Sequence, residues 1–158
     1  MKTYQGKILS QSEKPVAIIV SDFNTAITEP LVGGAVTQLQ QQGLTEDEMV
    51  VVHVPGALEI PAVAQKLVDS ERFSGLICLG AVIQGETDHY QVVMNQTVSQ
   101  IANLARVSPI PVVNGVLTTN TFDQAVQRSG GKAGNKGFEV AGSLLLMRSL
   151  YEQLEALI

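Results

Sequence analysis

The stretch Leu76-Ile77-Cys78-Leu79-Gly80-Ala81-Val82-Ile83-Gln84-Gly85-Glu86-Thr87-Asp88-His89 decides the fold. Its first four residues form a continuous apolar run, the pattern of a strand buried on both faces. A turn bounded by Gly80 and Gly85 follows, and then a helix for which Thr87 or Asp88 supplies the cap. A strand that gives way to a glycine-bearing turn before a helix N-terminus is where α/β sheets bind ligands, because the amides freed there point at the ligand. His89 falls in the first turn of that helix, at the mouth of the expected site. Its imidazole is the side chain best suited to exchange protons near neutral pH.

Outward from this stretch, apolar runs alternate with helical patterns. Val16-Ala17-Ile18-Ile19-Val20 follows Pro15 as a buried strand and runs into a polar loop, Ser21-Asp22-Phe23-Asn24, that carries one aromatic. Thr28 is placed to cap a helix with Glu29 and Pro30 in its first turn. Leu31, Val32, Ala35, Val36 and Leu39 make its apolar stripe, and Gly43 ends it. Val50 to Val54 is a third strand, broken by Pro55-Gly56, in which His53 fits a hydrogen-bonded core histidine better than a ligand. A helix then runs from about Ile60 to Asp69, and another from His89 to about Arg106 with Met94, Val98, Ile101 and Ala105 on its core face. Pro111 to Leu117 is a fourth strand. Thr121 and Gln124 form a capping box for a short helix ending near Ser129-Gly130-Gly131. The basic loop Lys132-Ala133-Gly134-Asn135-Lys136-Gly137 leads to a long C-terminal helix. Leu144, Leu145, Leu146 and Met147 make that helix apolar on more than one face and suit it to a neighbouring subunit.

Doubly buried strands alternating with helices predict a parallel, flavodoxin-like sheet inside a three-layer α/β/α sandwich with right-handed crossovers. At 158 residues the chain fits a single domain, 1–158, with an N-terminal arm to about residue 14. Charged residues make up 16 % of the chain, against about 25 % in an average globular protein. That leaves little solvated surface and favours self-association. The net charge of −5 argues against nucleic acid or an anionic membrane as partner. No stretch suits a signal peptide or a membrane span. Cys78 is the only cysteine, so no internal disulfide forms and a cytoplasmic location is expected.

Strand-exit loops of a parallel sheet open on one edge. That expectation gathers Phe23-Asn24, Ala57-Leu58-Glu59, Ala81 through His89, and Asn114. The set holds a flat aromatic, a carboxylate, an imidazole and free backbone amides. It lacks a serine or cysteine nucleophile with a base, and two histidines with one cysteine make a zinc site improbable. Gly80 to Gly85 is not followed by Lys-Ser/Thr and lacks G-x-G-x-x-G, so neither common phosphate motif is present. Arg128, Lys132 and Lys136 beside a glycine-rich turn remain as phosphate ligands. Taken alone they fit a solvated basic loop better.

Several ordered motifs together make the chain resemble the lumazine synthase family along nearly its whole length. They are Phe23-Asn24 with Ile27, Leu31 and Gly34-Ala35; Val54-Pro55-Gly56-Ala57-Leu58-Glu59-Ile60-Pro61; and Gly80-Ala81-Val82-Ile83 through Gly85, Thr87 and His89. Gly115-Val116-Leu117-Thr118-Thr119, Gln124-Ala125, Arg128 and Lys132 through Gly137 with Glu139 continue the match. The resemblance implies condensation of a ribitylaminouracil with dihydroxybutanone phosphate, without cofactor or metal. It implies Phe23 stacked on the pyrimidine, Ala81, Val82 and Ile83 holding its polar edge, and Ala57, Leu58 and Glu59 on the ribityl chain. Glu86 (through its backbone), Thr87 and Arg128 would hold phosphate, and His89 would shuttle protons. It also implies pentamers, some of which close into capsids, with Asn114, Arg128 and Lys136 reaching into the adjacent subunit's pocket. Two positions depart from the family pattern: Asn114 replaces an aromatic, and Gln84 a basic residue. Rival functions are a flavodoxin-like module that binds flavin or nucleotide without turnover, and a shell protein with a decayed site.

Overall fold

Four parallel strands lie in the order β2-β1-β3-β4, where β1 is Val16–Ser21, β2 Met49–Val54, β3 Gly75–Ile83 and β4 Val112–Thr119. The computed structural model describes residues 1–8 and 11–158. Helices α1 (Thr25–Gln41), α2 (Ile60–Asp69), α3 (His89–Val107), α4 (Phe122–Arg128) and α5 (Lys136–Glu155) complete the chain, with a short antiparallel pair, β5 (Ser129–Gly131) and β6 (Gly134–Asn135), before α5.

Period-two alternation divides β1 and β3 between two cores. Val16, Ile18 and Val20 of β1, with Ile77, Leu79 and Ala81 of β3, pack under α1 and α5 through Ile27, Leu31, Leu39, Leu144 and Leu145. Ala17, Ile19, Leu76, Cys78 and Val82 pack on the opposite face against Ile60, Ala64, Ile101 and Leu104 of α2 and α3. This is the expected three-layer sandwich.

Four details differ from the sequence expectation. First, β3 does not stop at Gly80 but continues to Ile83, with Ala81, Val82 and Ile83 registered on Leu117, Thr118 and Thr119. Gly80 lets it pass β1, because a Cβ there would lie 2.8 Å from the Ser21 hydroxyl oxygen. Second, α1 starts at Thr25, which puts Pro30 inside the helix. The longer helix buries Ile27 completely, and that burial outweighs the amide donor Pro30 lacks. Third, β2 is an edge strand with Val50, Val51 and His53 exposed. His53 is hydrogen-bonded but not in the core: its Nδ1 lies 2.7 Å from Asp22 Oδ1. Fourth, part of the glycine-rich loop before α5 is the β5–β6 pair.

The N-terminal residues run along α5. Lys7 N–H donates to Ser149 Oγ at 3.1 Å and Gln153 Nε2 donates to the Gln5 carbonyl at 2.9 Å. Deeper on α5, buried Arg148 donates from Nη1 to Ser74 Oγ at 3.1 Å, fixing the start of β3. Burial lowers the Arg148 pKa, against the opposing pull of Glu152 and Glu48.

Candidate active site

A cavity of about 370 Å³ opens at the C-terminal ends of β1, β2 and β3. Each strand supplies one part of its wall. After β1 the chain turns sharply. Asp22 N–H reaches the Val54 carbonyl and Phe23 N–H the Pro55 carbonyl, at 2.8 and 3.1 Å, so the loop stays tied to β2 as it leaves the sheet. Asn24 then adopts a left-handed conformation, φ 66°, and its carbonyl accepts the Ile27 and Thr28 amides at the start of α1. Phe23 stands 71 % exposed on the cavity wall, an aromatic open to a ligand. After β2, Gly56 through Glu59 form the next wall. Gly56 leaves room for the Glu59 carboxylate, whose Oε2 would lie 3.0 Å from any Cβ at that position.

The third wall is β3, and here the extension past Gly80 matters. Pairing of β3 with β1 ends at Val20–Leu79, while pairing with β4 continues to Ile83–Thr119. Gln84 N–H donates to the Thr119 carbonyl at 2.9 Å, so the peptide groups of residues 82 and 84 face β4. Those of Ala81 and Ile83 consequently face away from β4, toward the cavity and beyond the reach of β1. The Ala81 carbonyl accepts from Asn24 Nδ2 at 3.2 Å. The other groups of that edge remain available to a ligand.

The N-terminal part of α3 closes the cavity with His89, Tyr90 and Val93, next to Gly85 and Thr87. His89 N–H lies 3.4 Å from Thr87 Oγ1, and the imidazole makes no hydrogen bond among the described residues. Asp88 precedes the helix without a side-chain cap. Glu59 and His89 are the lining's carboxylate and imidazole, and no Lys or Arg lines it. Cys78 lies in the middle of β3, fully buried, and burial alone pushes its thiol up to about 12. That rules it out as a nucleophile at neutral pH. No cluster of three or more His, Cys, Asp or Glu suited to a metal exists among the described residues.

Phe23, Ala57, Leu58, Glu59, Ala81, Val82, Ile83, Thr87 and His89 thus share one cavity. Glu86 lies exposed in the same loop but outside the lining. Arg128 and Lys136 line a separate cavity of about 380 Å³ together with Val116 through Thr119, Ala133 and Glu139. Lys136 Nζ is held there by Glu139 Oε1 at 3.0 Å.

Asn114 requires a correction, because it is not at a strand exit. It sits mid-strand in β4, registered on Cys78, and lines neither cavity. β4 is an edge strand, and the Thr119 carbonyl facing β3 puts the Val116 N–H on the open side. Asn114 Oδ1 accepts that N–H at 3.0 Å, so the side chain caps an otherwise bare strand edge.

Tyr90, Val93 and the side-chain role of Asn24 are not among the sequence expectations. Tyr90 stands four residues before Met94 and so shares its face, a signal the helical spacing already carried. Asn24 gave no comparable signal, because its partner Ala81 is 57 positions away.

The family model described as 6,7-dimethyl-8-ribityllumazine synthase matches residues 13–152. A relative of that name from Leuconostoc mesenteroides subsp. mesenteroides is 44 % identical over 154 residues, covering 98 % of this chain and 99 % of the relative. A match of that length, on a sheet whose strand ends form this cavity, means that the chain belongs to the 6,7-dimethyl-8-ribityllumazine synthase family.

Proposed function

We infer that the chain catalyses the family's reaction in riboflavin biosynthesis. It condenses 5-amino-6-(D-ribitylamino)uracil with 3,4-dihydroxy-2-butanone 4-phosphate to 6,7-dimethyl-8-ribityllumazine, releasing phosphate and water. The observation that carries this reading is the single cavity joining an exposed Phe23 ring, an open β3 edge, the Glu59 carboxylate and the His89 imidazole. A uracil is flat, with alternating carbonyls and N–H groups along its rim. Phe23 offers the flat face, and the Ala81–Ile83 edge offers backbone donors and acceptors in the plane. Ala57, Leu58 and Glu59 lie one wall further on, where the carboxylate would accept hydrogen bonds from the ribityl hydroxyls.

The chemistry asks for positioning and proton transfer. The 5-amino group is a nucleophile and the ketone an electrophile, so their condensation to an imine, loss of phosphate and ring closure need no cofactor. His89, whose imidazole has no hydrogen-bond partner among the described residues, is suited to move the protons. Glu86 (through its backbone), Thr87 and Arg128 would hold the phosphate, the Arg128 guanidinium bidentately. Because the cavity's own lining carries no cation, Arg128 and Lys136 would come from an adjacent subunit, with Asn114 on the same surface. A ring of five chains, free or closed into a capsid, would meet that need. The single buried cysteine and the substrates' metabolic role fit a cytoplasmic enzyme.

The test is to supply both substrates and follow the fluorescence of the lumazine product. We expect turnover by the wild type and a rate lowered about 10²–10⁴-fold in His89→Ala with substrate binding little changed. An unaltered His89→Ala rate across the pH range would remove His89 from the mechanism. A wild type that binds the uracil without forming product would sink the enzymatic reading.

A further inference from the structure

We propose that Asn24 is a positioning residue that locks the Phe23 ring and the open edge of β3 into one fixed relation, and thereby sets affinity for the aminouracil rather than the rate of its chemistry. The proposal rests on the functional reading above. Its basis is how few ties hold the two walls together. Among the described residues, the Phe23 backbone is hydrogen-bonded only on its β2 side, to the Pro55 carbonyl. On the other side the β1–β3 ladder has already ended at Val20–Leu79, so no backbone bond joins the Phe23 loop to Ala81 or Ile83. The Asn24 amide spans that gap, donating from Nδ2 to the Ala81 carbonyl at 3.2 Å.

The backbone of Asn24 is committed as well. Its φ of 66° is one of two left-handed values at non-glycine residues among the described residues, and it turns the chain from Phe23 into α1. Asparagine and glycine are the residues that accept this conformation most readily. Asparagine alone of the two also supplies the donor. One acceptor site of the Ala81 carbonyl is thereby used, and the Ala81 N–H and the Ile83 N–H and carbonyl face the ligand as well. A wall held in place before binding spares the ligand the cost of ordering it.

Two substitutions separate this role from a purely structural one. Asn24→Gly keeps the left-handed turn and removes the amide. Asn24→Asp keeps the size but turns an acceptor toward the Ala81 carbonyl. For Asn24→Gly we expect the KM for the aminouracil, and the Kd of an analogue lacking the reactive 5-amino group, to rise about three- to tenfold, the worth of one hydrogen bond. Asn24→Asp should exceed that, while kcat and the KM for dihydroxybutanone phosphate stay within about twofold of wild type. Unchanged uracil affinity in both variants, or a loss confined to kcat or to thermal stability, overturns the proposal. A wild type that neither binds the analogue nor makes lumazine overturns the functional reading, and this inference with it.

Discussion

Cys78 shows how a single residue's surroundings decide its chemistry. Its thiol is held neutral by burial, with a pKa near 12 against an ordinary 9.0. Between those values the unfolded chain ionises the thiol and the folded chain does not, so the unfolded state binds fewer protons. This group's contribution to stability is therefore constant below about pH 9 and declines as pH rises toward 12. Urea midpoints measured from pH 7 to 11 should fall more steeply for wild type than for Cys78→Ala, and a thiol reagent at pH 8 should react only on unfolding. Parallel midpoint curves would contradict this. The apolar run around Cys78 made its burial legible in sequence, and the histidine and carboxylate of the cavity were equally legible because their loops follow strands. Asn114 was not. A polar residue near the end of an apolar run suggests a loop, but at an edge strand it can cap its own backbone instead, and only the register with Cys78 reveals which.

Among the elements, the α1–α5 pair depends on an approach close enough to exclude any side chain. A Cβ on Gly137, at the start of α5, would collide with the Leu31 carbonyl of α1. Asn135 fastens the same crossing, capping α5 at the Phe138 N–H and donating to the Pro30 carbonyl at 2.9 Å. Gly137→Ala should cost about 1–3 kcal/mol, as overpacking does where the obstructing atoms are backbone. Gly33 lies on the same helix pair, but a Cβ there would meet nothing within 4 Å. Gly33→Ala should accordingly stabilise by about 0.4–1 kcal/mol. Thermal melts separate the two, with shifts of opposite sign; a neutral Gly137→Ala would mean that α5 can slide on α1. Element types and order were readable from the sequence because each strand and helix kept its own period. The boundaries that were misjudged lie where a glycine or proline is an ambiguous stop signal. Gly80 sits within β3 because a neighbouring hydroxyl needs the space, and Pro30 within α1 because the core rewards an earlier helix start.

On the proposed reading, the whole molecule would be one unit of a repeating ring. One chain separates its aromatic, carboxylate and imidazole from its Arg128 and Lys136, which line a different cavity. It also exposes Phe122 and Val126 on α4, and Leu146 and Met147 on α5. Exposed apolar residues on the helices that flank a cationic cavity are what an adjoining copy would cover. The proposed ring is head-to-tail, each chain lending its Arg128 side to the His89 cavity of the next. Complementation tests this directly. His89→Ala and Arg128→Ala rings, each nearly inactive alone, are dissociated, mixed in equal amounts and reassembled. A site is intact when a subunit with His89 adjoins a subunit with Arg128, and random mixing gives half times half, so about a quarter of sites should recover. The recovered sites should show the wild-type KM for both substrates, since each contains every group. With mixed rings confirmed by mass spectrometry, activity no greater than the mean of the two mutants would show that each site is built within one chain. Arg128 would then have to reach the cavity by a movement of α4.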